Sequence, residues 1–150
     1  MKKKNLKILI VAAVLVLTAA AAVLHLSTRN AVPEGYLQLI YSGEEKNISL
    51  SDLDLYQVQG TISNAKGDQK TIDAKGISVS DVLQLAGVEK FSVLTVTGDD
   101  EYSAELTAEE AKDATNTYFI LQEDGGIQLI VFHDTNSKRC VSDVVRVEAV

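Results

Sequence analysis

From Tyr36 onward the chain alternates between two hydrophobic periods, and the changes of period mark its elements. "YLQLIYS" (Tyr36 to Ser42) alternates apolar and polar positions and predicts a first strand. "ISLSDLDLY" follows, with Ser49 or Ser51 placed to cap a single helical turn. "YQVQGTIS" and "QKTIDAKG" flank the turn-forming "NAKGD" and predict a β-hairpin around Gly67. In "GISVSDVLQLAGV" the period lengthens: Val79, Val82, Leu83 and Ala86 fall at i, i+3, i+4 and i+7, on one helical face. Ser78 stands three residues before Asp81 as a loose capping box, and Gly87 sits where a left-handed C-cap belongs. "FSVLTVTG" reads as a strand, "GDD" as a turn and "EYSAEL" as its antiparallel return. Thr107 and Glu110 form a T-x-x-E capping box that starts a helical turn at Ala108.

"TYFILQ" and "IQLIVFH", separated by "EDGG", make the most apolar hairpin, which places them at the centre of the sheet; "VVRVEAV" is a closing strand. Seven or eight strands with two or three short helices give an α+β class with a mostly antiparallel or mixed β-sheet.

The first thirty residues follow another pattern. Lys2, Lys3, Lys4 and Lys7 precede an apolar run from Ile8 to Leu26. At about 1.5 Å per residue a helix of that length matches a hydrocarbon core of about 30 Å. Residues 1–30 are therefore expected to be a basic stub and a transmembrane anchor or signal peptide, 31–35 a linker and 36–150 an extracytoplasmic domain. An uncleaved anchor is favoured because Val23, Leu24 and Leu26 prolong the run beyond a signal peptide's usual core; the small residues of Thr18 to Ala22 keep open a cleaved signal, with release near Ala21. The partner of residues 8–26 would then be the membrane itself.

Beyond residue 30 there are 9 basic and 21 acidic residues, a net charge of −12. Such a surface repels phosphate backbones and argues against nucleic acid. Cys140 is the only cysteine, so no internal disulfide is available. His133, Asp134 and Cys140 lie close in sequence, but a zinc site needs three or four ligands, and the other histidine, His25, is in the apolar run. A nucleophilic Cys140–His133 pair lacks any activating neighbour in the sequence. Asp99, Asp100 and Glu101, and Glu109 with Glu110, are acids where a turn and a helix start favour them. There is no phosphate-binding glycine motif, and Asn47-Ile48-Ser49 is a glycosylation sequon of use only in a eukaryotic secretory pathway.

The order of segments resembles the molybdopterin-binding domain of the sulfite-oxidase type. Gly76, Ile77, Val82, Leu83, Ala86, Gly87 and Val88 match that family's "Gv-x-L-x-dlL-x-x-aGv" segment, and Asp100, Glu101 and Tyr102 loosely match its "DGY". The resemblance covers Gly35 to Val150. It implies a metal-ligating cysteine near Val58 to Thr61, which here reads "VQGT", and basic residues for the pterin phosphate, of which only Lys138 and Arg139 are present. The expectation is a non-catalytic binding or accessory module in the cell envelope with no cofactor and an envelope protein as partner. Two alternatives stay open: a molybdopterin-dependent oxidoreductase subunit with non-Cys or partner-supplied ligation, and a small-ligand or adhesion module.

Overall fold

The computed structural model describes residues 11–21, 32–134 and 137–150. Residues 11–21 are helical (α1) and exposed. Among the described residues no helix is long and apolar enough to cross a membrane. The flanks of the apolar run, 8–10 and 22–26, on which a span depends, lie outside the described residues, as does His25.

Residues 32–150 form a compact unit of their own. Its elements are β1 (Tyr36–Tyr41), β2 (Glu44–Ser49), a 3-10 turn at Leu50–Asp52, β3 (Tyr56–Ser63), β4 (Gln69–Ser78), α2 (Val79–Ala86), β5 (Val93–Gly98), β6 (Ser103–Thr107), α3 (Ala108–Ala111), β7 (Thr117–Leu121), β8 (Ile127–Val131) and β9 (Val144–Ala149). They build an α+β fold with two sheets rather than one. The first has the order β2-β1-β9-β5-β6 and the second β3-β4-β7-β8. All pairings are antiparallel except β1 with β9, so the first sheet is mixed.

β2 is a strand that the hydrophobic pattern did not predict. Its sequence, Glu44 to Ser49, has no apolar alternation because it sits at a sheet edge, mostly exposed. What forms it is the two-residue turn before it: Ser42 at φ 52° and Gly43 at φ 79° both take left-handed conformations, as a type I′ hairpin requires. The turn at Leu50–Asp52 begins at Ser49 as expected, but that side chain caps nothing; its hydroxyl bonds the hydroxyl of Ser51 at 3.0 Å.

α2 forms for the reasons legible in its sequence. The Ser78 side chain accepts from the Asp81 N–H at 3.0 Å, Gly87 closes the helix at φ 76°, and Val79, Val82, Leu83 and Ala86 are buried. That face joins the main core, which holds Leu37, Leu39, Leu94, Val96, Leu106 and Val147 of the first sheet together with Ile77, Phe119 and Leu129 of the second. Burying such side chains contributes about 1.5–3 kcal/mol each before entropy is counted.

The second sheet carries a further apolar cluster, Val58, Ile62, Ile72, Ile120, Ile130 and Phe132, which register places on its other face. β3 and β8 are its outer strands, yet the ring of Phe132, just past β8, lies over Gly60 of β3. The sheet therefore curls until its outer strands approach across a concave face. Gly76, where β4 meets β7, permits a close approach of the two strands: a β-carbon there would stand 2.5 Å from the Phe119 carbonyl oxygen. The hairpin β7–β8 is not the centre expected for it. β7 is interior, whereas β8 is an outer strand whose side chains are buried on both faces, which explains its uniformly apolar sequence.

Candidate functional site

The segment where the resemblance implies a thiolate ligand, Val58 to Thr61, lies in β3. Val58 and Gly60 belong to the concave face of the second sheet, and Val58 is buried in its cluster. A β-carbon on Gly60 would lie 2.4 Å from Cε1 of Phe132 and under 3 Å from two further ring atoms. The position is filled by a neighbouring side chain, with no open space above it. Gln57, Gln59 and Thr61 point the other way and are exposed, where the two glutamine amides donate to the carboxylate of Asp73. The residues at Val58 to Thr61 do not fit a molybdopterin metal.

Nor does the loop after β8 fit the pterin phosphate. Arg139 is occupied: its Nε donates to both carboxylate oxygens of Asp134 at 3.2 and 3.0 Å, its Nη2 to Asp134 and its Nη1 to Glu110. Two carboxylates on one guanidinium leave a net charge of −1, which disfavours a dianion. The hydrogen bonds it donates to Asp134 and then Glu110 hold the Arg139 pKa above its ordinary value. Arg139, followed by the Thr107 backbone, holds the Glu110 carboxyl below the usual range. Glu110 also completes the expected capping box, accepting from the Thr107 N–H at 2.9 Å while the Thr107 hydroxyl accepts from the Glu110 N–H at 3.3 Å. One carboxylate thus ties the start of α3 to the loop after β8. Its capping role was legible from spacing; its ion pair, spanning 29 residues of chain, was not.

The remaining candidates disperse. His133 is exposed in the turn after β8 at φ 66°, and Asp134 is committed to Arg139. Cys140 packs beside the concave cluster, and burial pushes its thiol up, away from the thiolate form. Among the described residues no group of three or more His, Cys, Asp or Glu could hold a metal ion. Asp100 accepts from the Tyr102 N–H at 3.0 Å, while Glu101 takes the left-handed conformation at φ 69°, so these residues shape the β5–β6 turn. Glu109 is exposed on α3.

Sequence reasoning did not anticipate a cleft of about 270 Å³ where the segment before β1, the β7–β8 turn and the start of β9 meet. Glu34, Asp99, Asp124 and Asp143 stand on its walls with Tyr36 and Ile127. Its charge runs against an anionic occupant. The chain segment on its rim is fixed to the body: the Tyr36 N–H donates to Pro33 O and the Leu50 N–H to Gly35 O, both at 3.0 Å.

Asp113, in the turn just past α3, gives the domain a sensitivity to acid. Hydrogen bonds from Thr115, then Asn116, lower its carboxyl from 3.8 to about 2. A depressed carboxylate contributes stability that is present above the unfolded value and lost as pH falls from about 4 through about 2. Urea midpoints measured across that window are expected to fall less steeply for Asp113→Asn than for the parent chain; equal slopes would show that the turn does not hold the charged form.

No family model and no curated protein matches the chain.

Proposed function

We propose that the chain is an exported, membrane-anchored module of the cell envelope, with a reduced sulfite-oxidase-type fold that supports or binds an envelope protein and carries no molybdopterin. The observation that carries this reading is the ring of Phe132 over Gly60, which fills the place a ligating thiolate would need. The saturation of Arg139 by Asp134 and Glu110 supports it, because the guanidinium left for a pterin phosphate is already neutralised. The fold assignment draws on the matched "Gv" segment, which builds the capped helix α2, and on Glu101, whose φ of 69° stands where the family's "DGY" has glycine. The anchor draws on the apolar run from Ile8 to Leu26 behind four lysines.

Metal analysis of the full chain purified from membranes decides the question. The expected result is no molybdenum or tungsten above trace. A stoichiometric amount of either, held with or without a partner chain, would establish the oxidoreductase alternative. Fractionation and protease treatment of intact cells test the anchor: the untreated chain should stay in the membrane fraction and residues 32–150 should be lost on external digestion, whereas release of the untreated chain into the medium would mean cleavage near Ala21.

A further inference from the structure

Sheet edges expose unpaired backbone groups, and proteins guard them with charge, proline or cover. β2 carries Glu44, Glu45 and Lys46, and β6 carries Glu105. The part of β4 that extends past β7 carries Asp73 and Lys75. β8 is covered by the chain after it, its Leu129 N–H donating to Val141 O at 2.8 Å. β3 differs: its eight residues, Tyr56 to Ser63, include neither a charge nor a proline.

The direction of its free groups follows from the hairpin. Asn64 N–H donates to Asp68 O at 3.0 Å, one step beyond the Ser63–Gln69 pair. In an antiparallel ladder hydrogen-bonded pairs alternate, so Ile62, Gly60 and Val58 bond inward to β4, while Ser63, Thr61, Gln59 and Gln57 turn their N–H and C=O outward. Ser63 O is taken by the hydroxyl of Ser137. Gln57, Gln59 and Thr61 are exposed, and among the described residues no backbone group outside β4 bonds to theirs.

We infer that β3 pairs antiparallel with β3 of a second copy of this chain about a two-fold axis at Gln59. The strand is self-complementary in that register: Gln59 faces Gln59 and Gln57 faces Thr61 of the other copy. Each copy's three outward N–H groups then meet three outward carbonyls. Each glutamine amide gives one hydrogen to Asp73 and keeps a second hydrogen and its carbonyl oxygen, and the threonine hydroxyl donates as well as accepts, which suits a strand meeting itself. A foreign peptide would find backbone bonds but only the polar Gln57, Gln59 and Thr61 side chains beside it, without the pockets that give strand addition its selectivity.

Charge selects the same edge. Beyond residue 30 two copies at −12 repel wherever acids meet; β3 itself brings none to the contact, and the acid beside it, Asp73, stands one strand back on β4 with its carboxylate on the Gln57 and Gln59 amides. The register also sets Lys66, in the hairpin turn, against the Asp52 to Asp54 segment of the second copy, twice by symmetry.

The test uses the full chain in detergent, by sedimentation equilibrium with the detergent contribution matched out. The expected protein mass is twice 16.2 kDa. Gln59→Pro removes an N–H that faces away from β4, so the domain should keep its circular dichroism while its dimer dissociation constant rises at least about tenfold, since two interchain hydrogen bonds are lost and the ring obstructs the edge. Thr61→Lys, which gives β3 a charge like its sister edges, should weaken the dimer likewise. In a Cys140→Ser chain, Gln59→Cys should oxidise to an interchain disulfide and Glu105→Cys should not, because only position 59 meets itself at about 5.5 Å between α-carbons. A monomer at all concentrations overturns the inference. So does a dimer indifferent to both edge substitutions, or a β3 found paired with a foreign peptide.

Discussion

Replacing Gly60 with alanine is expected to destabilise the domain by about 1–3 kcal/mol, the usual range for adding a methyl to a packed site. The added β-carbon would stand 2.4 Å from Cε1 of Phe132, and Phe132 is itself buried among Ile130, Ile120 and Val58. The ring must swing out or β3 must draw back, and either opens the concave face. Phe132→Leu in the same chain removes the two nearest atoms, Cε1 and Cζ, so the double variant should recover much of the loss; urea midpoints of the four chains in a double-mutant cycle report that coupling. The result bears directly on function. If Gly60→Ala is neutral, the concave face has room beside Val58 to Thr61, and the central support for a module without a metal site is gone.

The legible parts of the fold are those whose cause is local. Ser78, Asp81 and Gly87 specify the ends of α2 within a dozen residues, and Thr107 with Glu110 specify the start of α3; each acts through bonds to its own neighbours. The hairpin β3–β4 is equally local, turning on Gly67 at φ 85°. β2 was missed because at an edge there is no buried face to impose alternation, and its only signal was the dipeptide Ser42-Gly43.

The division into two sheets had no local signal at all. β9 enters the first sheet between β1 and β5, pairing parallel with a strand about a hundred residues earlier, and no property of "VVRVEAV" names those neighbours. The apolar hairpin β7–β8 shows how a correct element was given the wrong place. Burial on both faces was read as a central position, but β8 is buried by the curl of its own sheet and by the chain to Val141. The site followed the same rule. That a thiolate was absent from Val58 to Thr61 was plain from residue types; that Phe132 occupies the space, and that Arg139 is bound by acids from two directions, depends on contacts between distant segments.

Phe119→Ala is expected to have the largest effect of any single truncation discussed, a loss of about 3–5 kcal/mol. Phe119 is fully buried, and register puts it beside Ile77 of β4 and Leu129 of β8, on the face of the second sheet that joins the main core with α2 and the first sheet. Removing its ring leaves a cavity walled by three elements that cannot all move inward, so the transfer and cavity terms both count. Domains of this size have about 5–15 kcal/mol in total, so the variant should unfold at a clearly lower urea concentration, having lost from about a fifth to all of the parent's margin. Phe132→Ala is the internal comparison. It removes the same ring from the opposite face of the same sheet, but from a smaller cluster at a strand end with 8% of the residue exposed, where neighbours can relax. Its loss should be the smaller by about 1 kcal/mol or more. The reverse order would mean that the curled face, not the space between the sheets, is where the fold holds most of its stability, and the concave cluster would then be the domain's true core.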